Sequence, residues 1–231
     1  AVYIKRLMAE GVYKGPRIKT SHHQLSQTGG HFDNHDLPLE LNQFQTCDGV
    51  AECTKRAREQ LREGADFIKI CSTGGVFSAN DDPNWPQFTM DEIKAIVYEA
   101  EAVGSYVASH AQGAQGIKNA LTAGVKTIEH GIFIDDEGIE MMLNQSAILV
   151  PTLTVLHQVL TNPDGIPDYA LEKAKRVDEI HKANIRKAFK AGVKIALGTD
   201  CAGCEPMDHG FNALELEFFV RDIGLSPMEA I

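Results

Sequence analysis

The 231-residue sequence predicts an α/β fold, a TIM-type (β/α)8 barrel of which about six βα units are present. Three observations predict it. Apolar strand-like runs alternate with helix-like stretches along the chain. A helical stretch separates each run from the next, which calls for parallel strands joined by right-handed crossovers. Four runs carry a reactive side chain at or near the C-terminal end: Lys69 in ADFIKIC, His110 in YVASHAQ, His130 in KTIEHGI and Asp200 in IALGTD. In a closed parallel barrel those ends share one mouth, whereas an open doubly wound sheet keeps its outer strands apart. The closed form is the one that gathers them.

The elements follow in order. Residues 2–11 read as a helix stopped by Gly11, and PRIKTS (16–21) as a short strand leading into a polar, His-rich loop over 22–36. A helix over 50–63 ends at Gly64, before the strand DFIKIC. Thr89 and Glu92 form a T-x-x-E capping box. It opens a helix in which Ile93, Ile96, Val97 and Ala100 recur at helical spacing up to Gly104. The strand SYVASH, a helix over 114–123 and the strand VKTIEH follow. Another helix starts near Asp135, and AILVPTL (147–153) reads as the next strand. A long amphipathic helix over 170–191 stops at Gly192, ahead of the strand VKIALG and a helix over 212–223. Ser226 and Glu229 frame a second capping box with Pro227 at the first helical position. Both termini read as cut within a helix, so the single barrel domain over 1–231 is expected to lack its first strand or strands.

Composition narrows the function. A formal net charge of −10 argues against nucleic acid and anionic membrane surfaces as partners. No run approaches the roughly 18 apolar residues of a membrane-spanning helix. Five scattered cysteines favour a reducing compartment over a disulfide scaffold, and a cytoplasmic location is expected. Cys201 and Cys204 form a C-x-x-C without a second pair, and read as loop residues rather than a zinc or redox site.

The chemistry lies in the four strand-end residues. Strand alternation puts Phe67, Lys69 and Cys71 on one face, and in a barrel Lys69 is then buried. A buried amine loses its proton readily and can take up carbon dioxide as a carbamate, an anionic oxygen ligand able to bridge two cations. The alternative is an ion pair with a carboxylate such as Asp200 or Glu129. His110 and His130 suit zinc, or else serve as hydrogen-bonded core residues. Asp200 in GTD suits a metal or a tight turn. Four such residues at four strand ends favour a shared divalent cation, zinc foremost.

These segments carry a resemblance. ADFIKICSTGGVFS, SYVASHAQGAQGIKNALTAGVKTIEHG and VKIALGTDCAG resemble the metal-dependent amidohydrolase superfamily. They lie nearest its branch of Xaa-Pro and Xaa-Arg dipeptidases, imidazolonepropionase-like proteins and ochratoxin-hydrolysing amidases. GPRIKTSHHQLSQTGGH, DDPNWPQFT and NALELEF resemble the same branch. The resemblance implies a binuclear hydrolase of amide bonds in which Lys69 is the carboxylated bridging lysine and His110 and His130 bind the second metal. Asp200 would then be both metal ligand and catalytic acid–base. It also implies a small-molecule amide or dipeptide substrate and a homo-oligomer. The family's His-x-His pair on strand one is missing from the sequence: His22 and His23 are adjacent, and His31 and His35 are four apart. One or two cations per subunit are therefore expected. His31, in TGGH, and His157, where a tyrosine is typical of the dipeptidases, are expected to touch substrate. Hydrolysis of a cyclic amide or lactone, or a non-catalytic metal-binding barrel, are the competing readings.

Overall fold

A computed structural model describes residues 1–33, 46–203 and 205–231. His35 and Cys204 lie outside the described residues. Six strands form one sheet: β1 (Gln24–Leu25), β2 (Ile68–Cys71), β3 (Val107–Ala111), β4 (Thr127–His130), β5 (Ile148–Val150) and β6 (Lys194–Ile195). All neighbours are parallel, and their spatial order is their sequence order. A doubly wound sheet would reverse direction part-way; this sheet never does.

The helices are α1 (Val2–Ala9), α2 (Gly49–Glu63), α3 (Met90–Glu101), α4 (Ala114–Ala123), α5 (Asp136–Gln145), α6 (Leu153–Thr161), α7 (Asp168–Ala191), α8 (Leu214–Phe218) and α9 (Pro227–Ala230). Both capping boxes form. Thr89 Oγ1 accepts from the Glu92 N–H at 3.4 Å while Glu92 Oε2 accepts from the Thr89 N–H at 2.6 Å. Glu92 also accepts from the Gly49 N–H at 2.6 Å, which ties the start of α2 to that of α3.

Outward-facing strand residues such as Ile68, Ile70 and Ile128 are fully buried under the helices, against Ile93, Ile117 and Met142. A second, smaller cluster of Val76, Ile132, Leu156, Val159 and Val177 sits over the C-terminal ends of the strands. It closes one side of the mouth.

Three expected strands differ. Residues 16–21 form no strand; the Thr20 N–H within the run goes to the Asp66 carboxylate at 3.0 Å rather than to a ladder partner. The first strand is the two-residue β1 inside the expected loop. The run 147–153 is strand only to Val150, since Glu215 takes the N–H groups of Leu153 and Thr154 and starts α6 there. The last run is ladder only over Lys194–Ile195, although the Ala196 N–H still donates to Leu149 O at 2.9 Å. The helix expected over 212–223 is α8 followed by a π-helical turn, Phe219–Ile223.

Candidate active site

One cavity of about 240 Å³ lies at the strand ends. All six strands or their exits reach it, from Gln24 of β1 through Lys69, His110, His130 and Val150 to Asp200 beyond β6. A flat sheet would hold β1 and β6 roughly 24 Å apart, at about 4.8 Å for each of five strand spacings. No cavity of this size spans that gap. The sheet therefore curls around the cavity as the wall of a barrel.

The structure brings five of the six expected residues to this cavity: His31, Lys69, His110, His130 and Asp200. His157 is the exception and does not line this cavity. It stands on α6, and the helical period turns Val155 and Leu156 into the cavity. The His157 ring instead packs against Phe218 of α8, with centroids 5.0 Å apart.

The imidazoles form a row. His31 stacks on His110 with centroids 4.2 Å apart and planes at 22°, and His110 meets His130 edge-on at 4.7 Å. Burial, then neighbouring His31 and His130, push His110 well below the ordinary histidine value. Burial and the Lys69 ammonium do the same to His130. Both rings are therefore neutral at pH 7, and each has one N–H.

Hydrogen bonding fixes where that N–H sits. His110 Nε2 lies 2.9 Å from the Gly74 carbonyl, which only accepts, so Nε2 carries the hydrogen. Thr152 Oγ1 donates to Pro151 O at 2.6 Å. It can then only accept from His130 Nδ1, 2.7 Å away. Among the described residues, the hydrogen bonds of the two rings engage His110 Nε2 and His130 Nδ1, and none engages His110 Nδ1 or His130 Nε2. Each is a lone pair set by its second nitrogen, the arrangement of a metal-ligating histidine.

Lys69 is ion-paired with Glu129, its side chain 16% exposed. Of the two partners open to it from sequence, the structure uses Glu129. Thr127 Oγ1 donates to the other Glu129 oxygen at 2.6 Å. The Asp200 side chain opens onto the cavity, yet the protein around it pushes its carboxyl above the ordinary value. Lys69 opposes that shift and Glu129 adds to it.

The residues fit a divalent cation on the chemistry of their donors: two preset imidazole lone pairs, one carboxylate and a lysine share the cavity. Among the described residues, no group of three histidine, cysteine, aspartate or glutamate side chains could hold a metal by itself. Any cation would also need an oxygen donor at Lys69 or from elsewhere.

The sequence profile of the Amidohydrolase family matches residues 3–231. The chain belongs to the amidohydrolase family. This amidohydrolase chain is 35% identical over 246 residues to an ochratoxinase of Aspergillus niger, a match that covers 99% of this chain and 50% of that protein. The crystal structure of A. niger ochratoxinase superposes with a TM-score of 0.90 at 35% identity, over 99% of this chain and 55% of that one. A Xaa-Pro dipeptidase with bound methionine in its active site gives a TM-score of 0.90 at 34% identity, over 100% of this chain and 58% of that one. The amidohydrolase chain spans about half the length of the curated relatives it matches.

Sequence reading passed over several residues around the cavity. His181 of α7 lines it and bonds through Nε2 to the His130 carbonyl at 2.8 Å; burial pushes its pKa down to about 4. Nothing local in a long helix marks it. His31 is held by Ser78, whose Oγ is 2.7 Å from His31 Nδ1 and which itself donates to Asp81. Lys173 of α7 donates to the backbone oxygens of Ser78 and Asp81, each at 2.6 Å. Gln112 also lines the cavity. It stands two residues after His110, and the alternation that places His110 inward marks it too.

Proposed function

We propose that this chain carries the metal-dependent part of an amide-bond hydrolase, of dipeptidase or N-acyl amino acid amidohydrolase type. The supporting observation is the pair of neutral imidazoles, His110 and His130, whose unprotonated nitrogens share a cavity with Lys69 and Asp200. Family membership and the likeness to an ochratoxinase and a Xaa-Pro dipeptidase add to it.

In this reading His110, His130, Asp200 and a carboxylated Lys69 hold one or two divalent cations, zinc foremost, which supply a Lewis acid and lower the pKa of a bound water to roughly 7. The chain's own part is positional. Gly74 and Thr152 keep the two rings in their ligating tautomers. Asp200 takes a proton from the attacking water and returns it to the departing amine nitrogen. The C–O bond forms and the C–N bond breaks. His31, held by Ser78, faces the cavity where a substrate carboxylate can meet it.

The test uses the full-length protein with zinc and bicarbonate, screened against dipeptides and N-acyl amino acids. Hydrolysis is expected, with Asp200→Asn lowering kcat by about 10²–10⁴-fold, the usual range for loss of a general acid–base. Metal-loaded protein that cleaves no member of either class, or an Asp200→Asn variant as active as the parent, would overturn the proposal.

A further inference from the structure

Lys173 does not line the cavity, yet it holds the loop that holds His31. Its ammonium reaches from α7 into the stretch 75–81 and donates to the carbonyls of Gly75 at 3.0 Å, Ser78 at 2.6 Å and Asp81 at 2.6 Å. An ammonium has three N–H groups, so this loop takes all of them. The Asp81 carboxylate, 3% exposed, supplies the opposite charge at 3.5 Å. Tyr169 and Arg176 stand one turn to either side on α7 and donate to Phe77 O and to Asp82. Positions 169, 173 and 176 share a helix face. One face of α7 therefore clasps the exit of β2.

The clasped loop in turn fixes the His31 imidazole. Ser78 Oγ has one hydrogen and gives it to the Asp81 carboxylate, which only accepts. Ser78 can then only accept from His31 Nδ1, 2.7 Å away, so Nδ1 carries a hydrogen. Asp81 is itself held by the Gly75 N–H at 3.1 Å and by Gln87 Nε2 at 3.2 Å. Packing removes the remaining freedom of the ring. It stacks on His110 at 4.2 Å, and a Cβ at Gly75 would come within 2.1 Å of it. Among the described residues no bond engages His31 Nε2, and it is not among the buried unpaired atoms, so it is the nitrogen open to the cavity that the ring lines.

We propose that Lys173 is a positioning residue for substrate capture: through Asp81 and Ser78 it aims His31 Nε2 into the cavity, and so sets KM rather than kcat. The inference rests on the amide-hydrolase reading above and deepens it. A ring already ordered loses little freedom when a ligand arrives, so the clasp strengthens binding without touching the reacting bond. Such a contact is equally strong in the ground and transition states, and its loss raises KM with kcat unchanged.

The test uses full-length, metal-loaded protein and N-acetyl-L-leucine. Lys173→Met should raise KM about tenfold, the scale of one lost hydrogen bond, with kcat within about twofold of the parent's. Ser78→Ala leaves all three carbonyls to Lys173 and should raise KM alike; it decides the matter if Lys173→Met does not fold. In a His31→Ala background both substitutions should lose their effect on KM, because no ring remains to aim. The inference is overturned if KM is unmoved, if kcat falls instead, or if the KM rise persists without His31, as a role in loop folding alone would require. Histidine-selective 15N spectra give a readout that needs no turnover. His31 Nδ1 should bear a fixed proton in the parent and lose it to exchange between the two nitrogens in Ser78→Ala and Lys173→Met. Identical ring signals in all three proteins also overturn the inference. Should N-acetyl-L-leucine go uncleaved, the hydrolase reading fails on that compound while the spectra still decide the role of Lys173.

Discussion

Lys69 and Glu129 give the clearest residue-scale expectation. Their side chains, 16% and 17% exposed, place the pair between the roughly 1 kcal/mol of an exposed ion pair and the roughly 3–5 kcal/mol lost on breaking a fully buried one. In a double-mutant cycle of Lys69→Met and Glu129→Gln, urea denaturation of metal-free protein should give a coupling energy above about 1 kcal/mol. A coupling near zero would mean that the pair does not persist in solution. Much of this was readable beforehand. Alternation in DFIKIC implies an inward lysine, and an inward ammonium needs a carboxylate or a change of chemistry. Spacing could not choose between Asp200 and Glu129, because that depends on neighbouring-strand register: β2 and β4 both pair with β3, at Lys69↔Ala108 and His110↔Glu129. His157 differs for a related reason: the run VPTLTVLHQ reads as a strand exit, and the chain is already helical there.

At the scale of elements, α6 is held at its start by a residue from far along the chain. Glu215 of α8 is fully buried and accepts from the Leu153 N–H at 2.9 Å, the Thr154 N–H at 2.8 Å and Thr154 Oγ1 at 2.6 Å. These are orphan donors of a helix N-terminus, for which a carboxylate is the favoured partner. Just before them stands Thr152, which orients His130. Glu215→Ala should lower stability by about 3 kcal/mol, given that bonds to charged groups are worth roughly 1.5–3 kcal/mol. Glu215→Gln keeps one acceptor and should cost less. Denaturation midpoints read both, and equal costs would refute the capping role. Helices were legible where capping and periodicity agreed, as in α3 from Thr89 to Glu101. The short strands were less so. β1 is two residues long, and β5 ends where Glu215, a partner more than sixty residues away, captures the next N–H groups.

Across the whole molecule, the barrel mouth concentrates histidines that stay neutral. His31 and His181 are each pushed down to about 4, chiefly by burial, and His110 and His130 are also lowered. Unfolded histidines take up protons near pH 6.5. Between about pH 6.5 and 4 the unfolded chain thus binds more protons than the folded one, and stability falls as pH falls. At 1.36 kcal/mol per unit, a drop from 6.5 to about 4 contributes a loss on the order of 3 kcal/mol per histidine once pH is below 4, of which about 2 kcal/mol is already lost at pH 5. Urea midpoints of metal-free protein at pH 7.5 and 5 should show this loss, and His181→Gln should reduce it. A flat profile would mean that the row of rings is not buried. The barrel class was legible because the βα alternation is local and repeated. The curl of the wall was legible only through the four reactive strand ends that a closed barrel gathers, and the cavity shared by β1 and the β6 exit agrees with it.

Three residues at the exits of consecutive strands, His130, Thr152 and Asp200, hold positive φ angles of 74°, 59° and 56°. Side chains larger than hydrogen resist that conformation, and glycine would adopt it freely. A protein tuned for robustness alone would carry glycine at all three. That it carries an imidazole, a hydroxyl and a carboxylate means the exits are bent to aim those groups inward, at the expense of backbone comfort. Thermal hardiness and a well-aimed mouth therefore pull these three positions in opposite directions.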